Sequence, residues 1–147
     1  MGGSPDDLLL AAHGALRARL DDFRQALSRR DEAAYRLALA DFLANLRRWS
    51  AAVEETLSPA IVRMSSPRRD LPRELRLDFV QLRELARHIT EQLDTRASMS
   101  DVLGMVENLS RRFDAHGAQI RDVYAPAAAE VLDEEAWSRL RAAAPDR

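Results

Sequence analysis

Apolar residues recur at alternating steps of three and four along most of the chain, the period of an inward-facing helical stripe. The first stripe, Leu9, His13, Leu16, Leu20, Phe23 and Leu27, predicts a helix from about Pro5 to Ala26. Ser4-Pro5-Asp6-Asp7 reads as its start, with a capping hydroxyl, a proline at the first helical position and carboxylates near the positive end of the dipole. A short turn at Ser28-Arg29-Arg30-Asp31 leads to a second helix, from about Asp31 to Leu57, with its stripe at Leu39, Phe42, Leu46, Trp49 and Val53. Pro59 is expected to end or kink it, because proline lacks the N–H that a helix interior needs. Ser58–Leu71 is then the longest connection and the one candidate hinge, too short for an interdomain linker.

The third helix is expected from about Pro72 to Leu93, with Leu75, Phe79, Leu82, Ala86, Ile89 and Leu93 inward. A turn at Asp94-Thr95-Arg96-Ala97 and a cap at Ser98-Met99-Ser100-Asp101 introduce the fourth. Its stripe is Val102, Met105, Leu109, Phe113, His116, Ile120 and Val123, its expected stop lies near Pro126, and Gly104 and Gly117 weaken it slightly. A short last helix over about 133–143 has Asp133 as cap and places Trp137 and Leu140 to seal one end of the core. The tail Ala144-Pro145-Asp146-Arg147 is expected to fray.

No segment alternates apolar and polar residues as a strand does, so the fold class is all-α. Four long helices with short links between the first and second and between the third and fourth predict an antiparallel up-down-up-down four-helix bundle. We expect one domain over residues 1–147, with the bundle at about 5–126 and the short fifth helix at about 133–143. The two hairpins echo each other: 36 residues separate His13 from Trp49, and 37 separate Phe79 from His116. With a rise of about 1.5 Å per residue, all four of these residues fall roughly 11–12 Å from the same end of the bundle. Val53 and Ile120, four residues further on, form the adjoining layer.

Composition narrows the chemistry. With no cysteine in its 147 residues, the chain excludes disulfides, thiolate catalysis and iron–sulfur clusters. No apolar run approaches the roughly 20 residues of a membrane span, and the first residues lack the basic stretch of a signal peptide, so a cytoplasmic protein is expected. All 22 basic residues are arginine, but acidic neighbours dilute each Arg-Arg pair and the net charge is −2, so neither nucleic acid nor membrane is an expected partner. Glu54, Asp78, Asp114 and Asp122 are expected to be solvated or paired with arginines, and the inward stripes offer no nucleophile–base pair or paired carboxylates, so no enzyme activity is expected.

The layer of His13, Trp49, Phe79 and His116, with prolines ten residues after Trp49 and after His116, resembles the hemerythrin-like (HHE cation-binding) family over roughly residues 5–143. The resemblance implies an inward histidine on each of four helices and a glutamate four residues after the second and fourth, together holding two irons or binding oxygen or a related small molecule. His13 and His116 match the ligand positions of helices 1 and 4, whereas Trp49, Val53, Phe79 and Ile120 stand where the family has His, Glu, His and Glu. Glu54 and Glu55 survive beside the helix 2 position but rotate roughly 140° and 240° away from Trp49, toward a flank or solvent.

These replacements imply a degenerate site: no di-iron centre, no reversible oxygen binding and no expected cofactor. The bland reading of His13 and His116 is a pair of buried neutral imidazoles, one donating an N–H to the other; the alternatives are a single weakly held metal, or a haem or other small ligand. His88, half a turn from the Phe79 face, is read as a surface residue. The first functional expectation is therefore a non-catalytic interaction or regulatory module with a protein partner, its Ser58–Leu71 segment and Arg/Glu-rich faces being candidate surfaces. The second is a metal, haem or small-ligand sensor built on His13 and His116.

Overall fold

In the computed structural model, residues 5–63 and 70–146 are described. They form helices α1 (Pro5–Ser28), α2 (Glu32–Arg63), α3 (Leu71–Asp94) and α4 (Met99–Gln119). A π-helical turn, Ile120–Tyr124, joins α4 directly to α5 (Ala125–Val131), and α6 (Glu134–Ala143) closes the chain. The Ser4 cap, the side chains of Asp6 and Asp7, the 64–69 part of the expected hinge, and Arg147 lie outside the described residues.

Helices α1 to α4 pack in sequence, and α1 returns against α4 and α5, so the four antiparallel rods close into an all-α up-down-up-down bundle with α6 laid on α2. The expected stripes of α2 and α3 are buried in full, from Leu39 to Val53 and from Leu75 to Leu93. Trp137 and Leu140 of α6 are buried as expected. Each buried large apolar side chain contributes about 1.5–3 kcal/mol relative to exposure, so the stripes hold the rods together far more than helix propensity does.

Both hairpins turn by the same device. Arg30 (φ 59°) and Arg96 (φ 56°) take the left-handed conformation just beyond the ends of α1 and α3. After α1, the Arg30 N–H donates to Leu27 O at 3.1 Å and the Asp31 N–H to Ala26 O at 3.2 Å. After α3, the Arg96 N–H donates to Leu93 O at 3.4 Å and the Ala97 N–H to Gln92 O at 3.0 Å. These are paired Schellman closures, and they extend the internal repeat from core residues to turns. The next helices start on side-chain caps: Asp31 accepts from the Ala34 N–H at 3.2 Å and Ser98 from the Asp101 N–H at 3.2 Å. Asp133 likewise caps α6, accepting from the Ala136 N–H at 2.8 Å.

Two expected stops are corrected. Helix α2 runs through Pro59 to Arg63, so the segment from Ser58 to Arg63 is helix rather than hinge. A helix-interior proline costs about 3 kcal/mol. Here it is offset by Ala60 and Ile61, both buried on the continuation, and by packing of α2 against α6. Nor does the chain stop at Pro126. The preceding π turn widens the backbone, with the Ala125 N–H bonding five residues back to Ile120 O, and Pro126 sits in the first turn of α5 where no N–H is missed.

The extra residue in that turn advances the helical register by one. Tyr124 is buried, whereas Val123, expected on the stripe, is only half-buried. Earlier in α4, Val106 takes the buried slot and the expected Met105 is half-buried.

Candidate functional site

Among the described residues five polar side chains are buried, and the layer singled out from sequence holds one of them, His116. His116, near the end of α4, is only 4% exposed. The His13 ring of α1 lies with its centroid 5.9 Å from that of His116, tilted by 56°. The Phe79 ring of α3 meets His116 edge-on, with centroids 4.9 Å apart and planes at 62°. Trp49 is buried on α2, but among the described residues its indole pairs with none of these rings. Three of the four expected residues thus meet directly.

No hydrogen bond joins the two imidazoles among the described residues. Instead the His116 Nδ1–H donates to Asp78 Oδ2 at 3.4 Å, a long bond. A carboxylate only accepts, so this contact calls for a proton on Nδ1. That Nε2 is buried and without a partner among the described residues. The same Asp78 Oδ2 accepts the Tyr124 hydroxyl at 2.9 Å.

Asp78 was expected to be solvated or paired with an arginine; it is instead the acceptor that ties α3 to α4 and to the π turn. Burial pushes its carboxyl up, but the bonds from His116 and Tyr124 outweigh that and hold it below the usual carboxylate range. Burial first, and the Asp78 carboxylate second, push the Tyr124 phenol well above its ordinary value.

His13, expected to be buried like His116, is only half-buried and is held differently. Its ring lies flat on Phe113, with centroids 4.2 Å apart and planes within 10°. Its Nε2 lies against Gly117, where a Cβ would come within 2.6 Å. Gly117 was expected merely to weaken α4; it makes room for this imidazole. Burial, then the neighbouring His116, then Arg17 lower the His13 pKa to about 4, so the ring is neutral at pH 7.

The remaining candidate positions are apolar and packed. Trp49, Val53, Phe79 and Ile120 are 2%, 3%, 2% and 5% exposed. Glu54 reaches sideways to Arg83 Nη1 at 3.7 Å, and burial pushes its carboxyl up; Glu55 is exposed. Neither turns to the imidazoles, as their rotation around α2 predicts. His88 is exposed, 3.9 Å from Glu91. Asp114 and Asp122 pair with Arg17 and Arg121, respectively. Among the described residues no three His, Asp or Glu side chains are grouped so as to hold a metal ion.

A scan against family models matches the hemerythrin HHE cation binding domain over residues 4–128. The chain belongs to that family. No curated protein and no solved structure matches it. The helical bundle is thus that of a hemerythrin-like domain. The family's di-iron chemistry asks for several imidazoles with bridging carboxylates. This hemerythrin-like chain offers two imidazoles, one of them facing Asp78 through Nδ1, and no carboxylate from Glu54 or Glu55. The residues present do not fit two irons.

Asp78, Tyr124 and Gly117 were not expected in the site. Gly117 carried a signal: a glycine inside a helix, one residue after an inward histidine, points to a close approach. Tyr124 lies four residues after the inward Ile120, a helical spacing that marked it too, whereas Asp78 has no mark of its own among the charges of α3.

Proposed function

We propose that this hemerythrin-like protein has lost di-iron and dioxygen binding and works as a non-catalytic interaction or regulatory module. The observation that supports this most is the position of Phe79. Its ring sits edge-on to His116 at 4.9 Å, in the layer where the family keeps metal. Trp49, Val53 and Ile120 are buried at the other lost ligand positions. An apolar, close-packed layer excludes the water and cations that a carboxylate-bridged pair needs. We take the whole described chain as one module, with α6 sealing α2.

The test is elemental analysis with an absorption spectrum on protein expressed in iron-replete medium. The reading expects a colourless, cooperatively folding protein with far less than one iron per chain.

One observation favours a second reading, a sensor that binds a single metal, haem or other small ligand through His13 and His116. His116 Nε2 is buried and has no partner among the described residues, in a ring that is only 4% exposed. Bound metal or a haem absorption band, lost on His13→Ala and His116→Ala substitution, would select this reading over the first.

A further inference from the structure

Outside the His116 ring, a cleft of about 220 Å³ opens between α3 and α4. One end carries Asp78. Its Oδ2 receives both Tyr124 and His116, its side chain is still 34% exposed, and its Oδ1 accepts no bond among the described residues. The other end carries Arg112, one helical turn before His116 on α4. The Arg112 Nη1–H donates to Gln81 Oε1 at 3.2 Å, and no carboxylate lies within ion-pair distance of it among the described residues. Leu82 and Ala115 supply apolar wall between the two ends. A second hollow, of about 410 Å³, shares Gln81 and Arg112 and continues toward Leu85, His88 and the Glu84–Arg87 ion pair.

One free carboxylate oxygen and one guanidinium therefore face a small cleft from opposite ends without neutralising each other. A simple anion would gain from Arg112 and be repelled by Asp78; a simple cation would meet the reverse. A ligand carrying both charges gains at both ends. Four residues of helix rise by about 6 Å, the axial step on α4 from Arg112 to His116, which pairs with Asp78. An ammonium and a carboxylate joined through one carbon, each making a charge-assisted bond of about 2.8 Å, reach over about 8–9 Å, which covers that step and a sideways offset between α3 and α4.

We propose that the α3–α4 cleft binds a free α-amino acid, its ammonium on Asp78, its carboxylate on Arg112, and its side chain along Leu82 and Ala115 into the adjoining hollow. Asp78 is positioned for this by Tyr124 and His116, which fix its other oxygen. Such binding goes beyond the loss of iron and does not depend on it, because nothing in the cleft uses the inner face of the imidazoles.

The test is a titration of ¹⁵N-labelled full chain with glycine, L-leucine and L-glutamine, followed by backbone amide shifts, with acetate and methylammonium as single-charge controls. The expected result is saturable shifts confined to residues 78–88 and 112–119 with at least one amino acid, in the millimolar range or tighter, and no saturation with either control. Arg112→Gln, on an exposed side chain that leaves the core intact, should weaken binding by about tenfold or more. Asp78→Asn should do the same where its circular dichroism matches the parent. Absence of saturable shifts with all three amino acids overturns the proposal. So does saturation by acetate or methylammonium alone, or an Arg112→Gln variant that binds as the parent does.

Discussion

Replacing Gly117 by alanine sets two effects of opposite sign against each other. In a helix interior, alanine is favoured over glycine by about 0.8–1 kcal/mol, so helix propensity alone predicts stabilisation. The packing predicts the opposite. The new Cβ would lie 2.6 Å from His13 Nε2 and 3.0 Å from its Cδ2. Ordinary contact needs close to a further ångström, and the imidazole is backed by Phe113 in a flat stack at 4.2 Å. Pushing it aside costs about 1–3 kcal/mol as overpacking, through a strained rotamer or a broken stack. The net expectation for Gly117→Ala is a loss of up to about 2 kcal/mol. With His13→Ala the obstruction is gone, and the same glycine substitution should then stabilise by about 1 kcal/mol. The coupling between the two sites, read from urea unfolding of both single variants, the double variant and the parent, should therefore be about 1–3 kcal/mol. Equal stabilisation by Gly117→Ala in both backgrounds would refute the placement of His13 against that glycine.

Phe79→Ala should cost about 3–5 kcal/mol in the same assay if its ring fills the former ligand layer, and a loss well under 1 kcal/mol would mean that it does not. The His13 imidazole makes stability pH-dependent. Its folded pKa, about 4, lies below the unfolded 6.5, so the unfolded chain binds the extra proton first. Its contribution is complete above pH 6.5 and falls away toward pH 4, by up to about 3 kcal/mol; a His13→Gln variant should flatten that window, and an unchanged pH profile would count against burial of the ring. Glycine at Arg30 or Arg96 should leave stability unchanged or raise it by up to about 1 kcal/mol each, because left-handed backbone strains any residue with a Cβ; thermal unfolding reads the sign, and a clear loss would contradict those turns.

The fold was legible in the sequence because each stripe repeats the same three-and-four spacing that buries it. Leu75 through Leu93 on α3 carry enough apolar area to be decided locally. The prolines misled because their cost is local while what offsets it is remote. Pro59 is followed by Ala60 and Ile61, and packing between α2 and α6 comes from residues far along the chain. Pro126 is accommodated by a π turn that no residue within it announces, and in that turn Tyr124 rather than Val123 is buried.

The candidate site was legible to the extent that it lies on those stripes. His13, Phe79 and His116 follow the helical period, and they meet. Asp78 lies off the stripe, beside Phe79, and its partners arrive from 38 and 46 residues further along the sequence. A single carboxylate on a helix with many charges carries no period from which its tertiary partners can be read. Trp49 shows the limit of placing residues by height alone: it is buried, but its indole pairs with none of those rings among the described residues.

Anaerobic titration with ferrous iron, followed by exposure to air and visible spectroscopy, addresses the proposed loss of metal binding most directly. A layer of two imidazoles packed against Phe79 should take up no stoichiometric pair of irons and develop no charge-transfer band. Uptake approaching two irons per chain, with a band that Phe79→Ala leaves in place and His116→Ala abolishes, would contradict it.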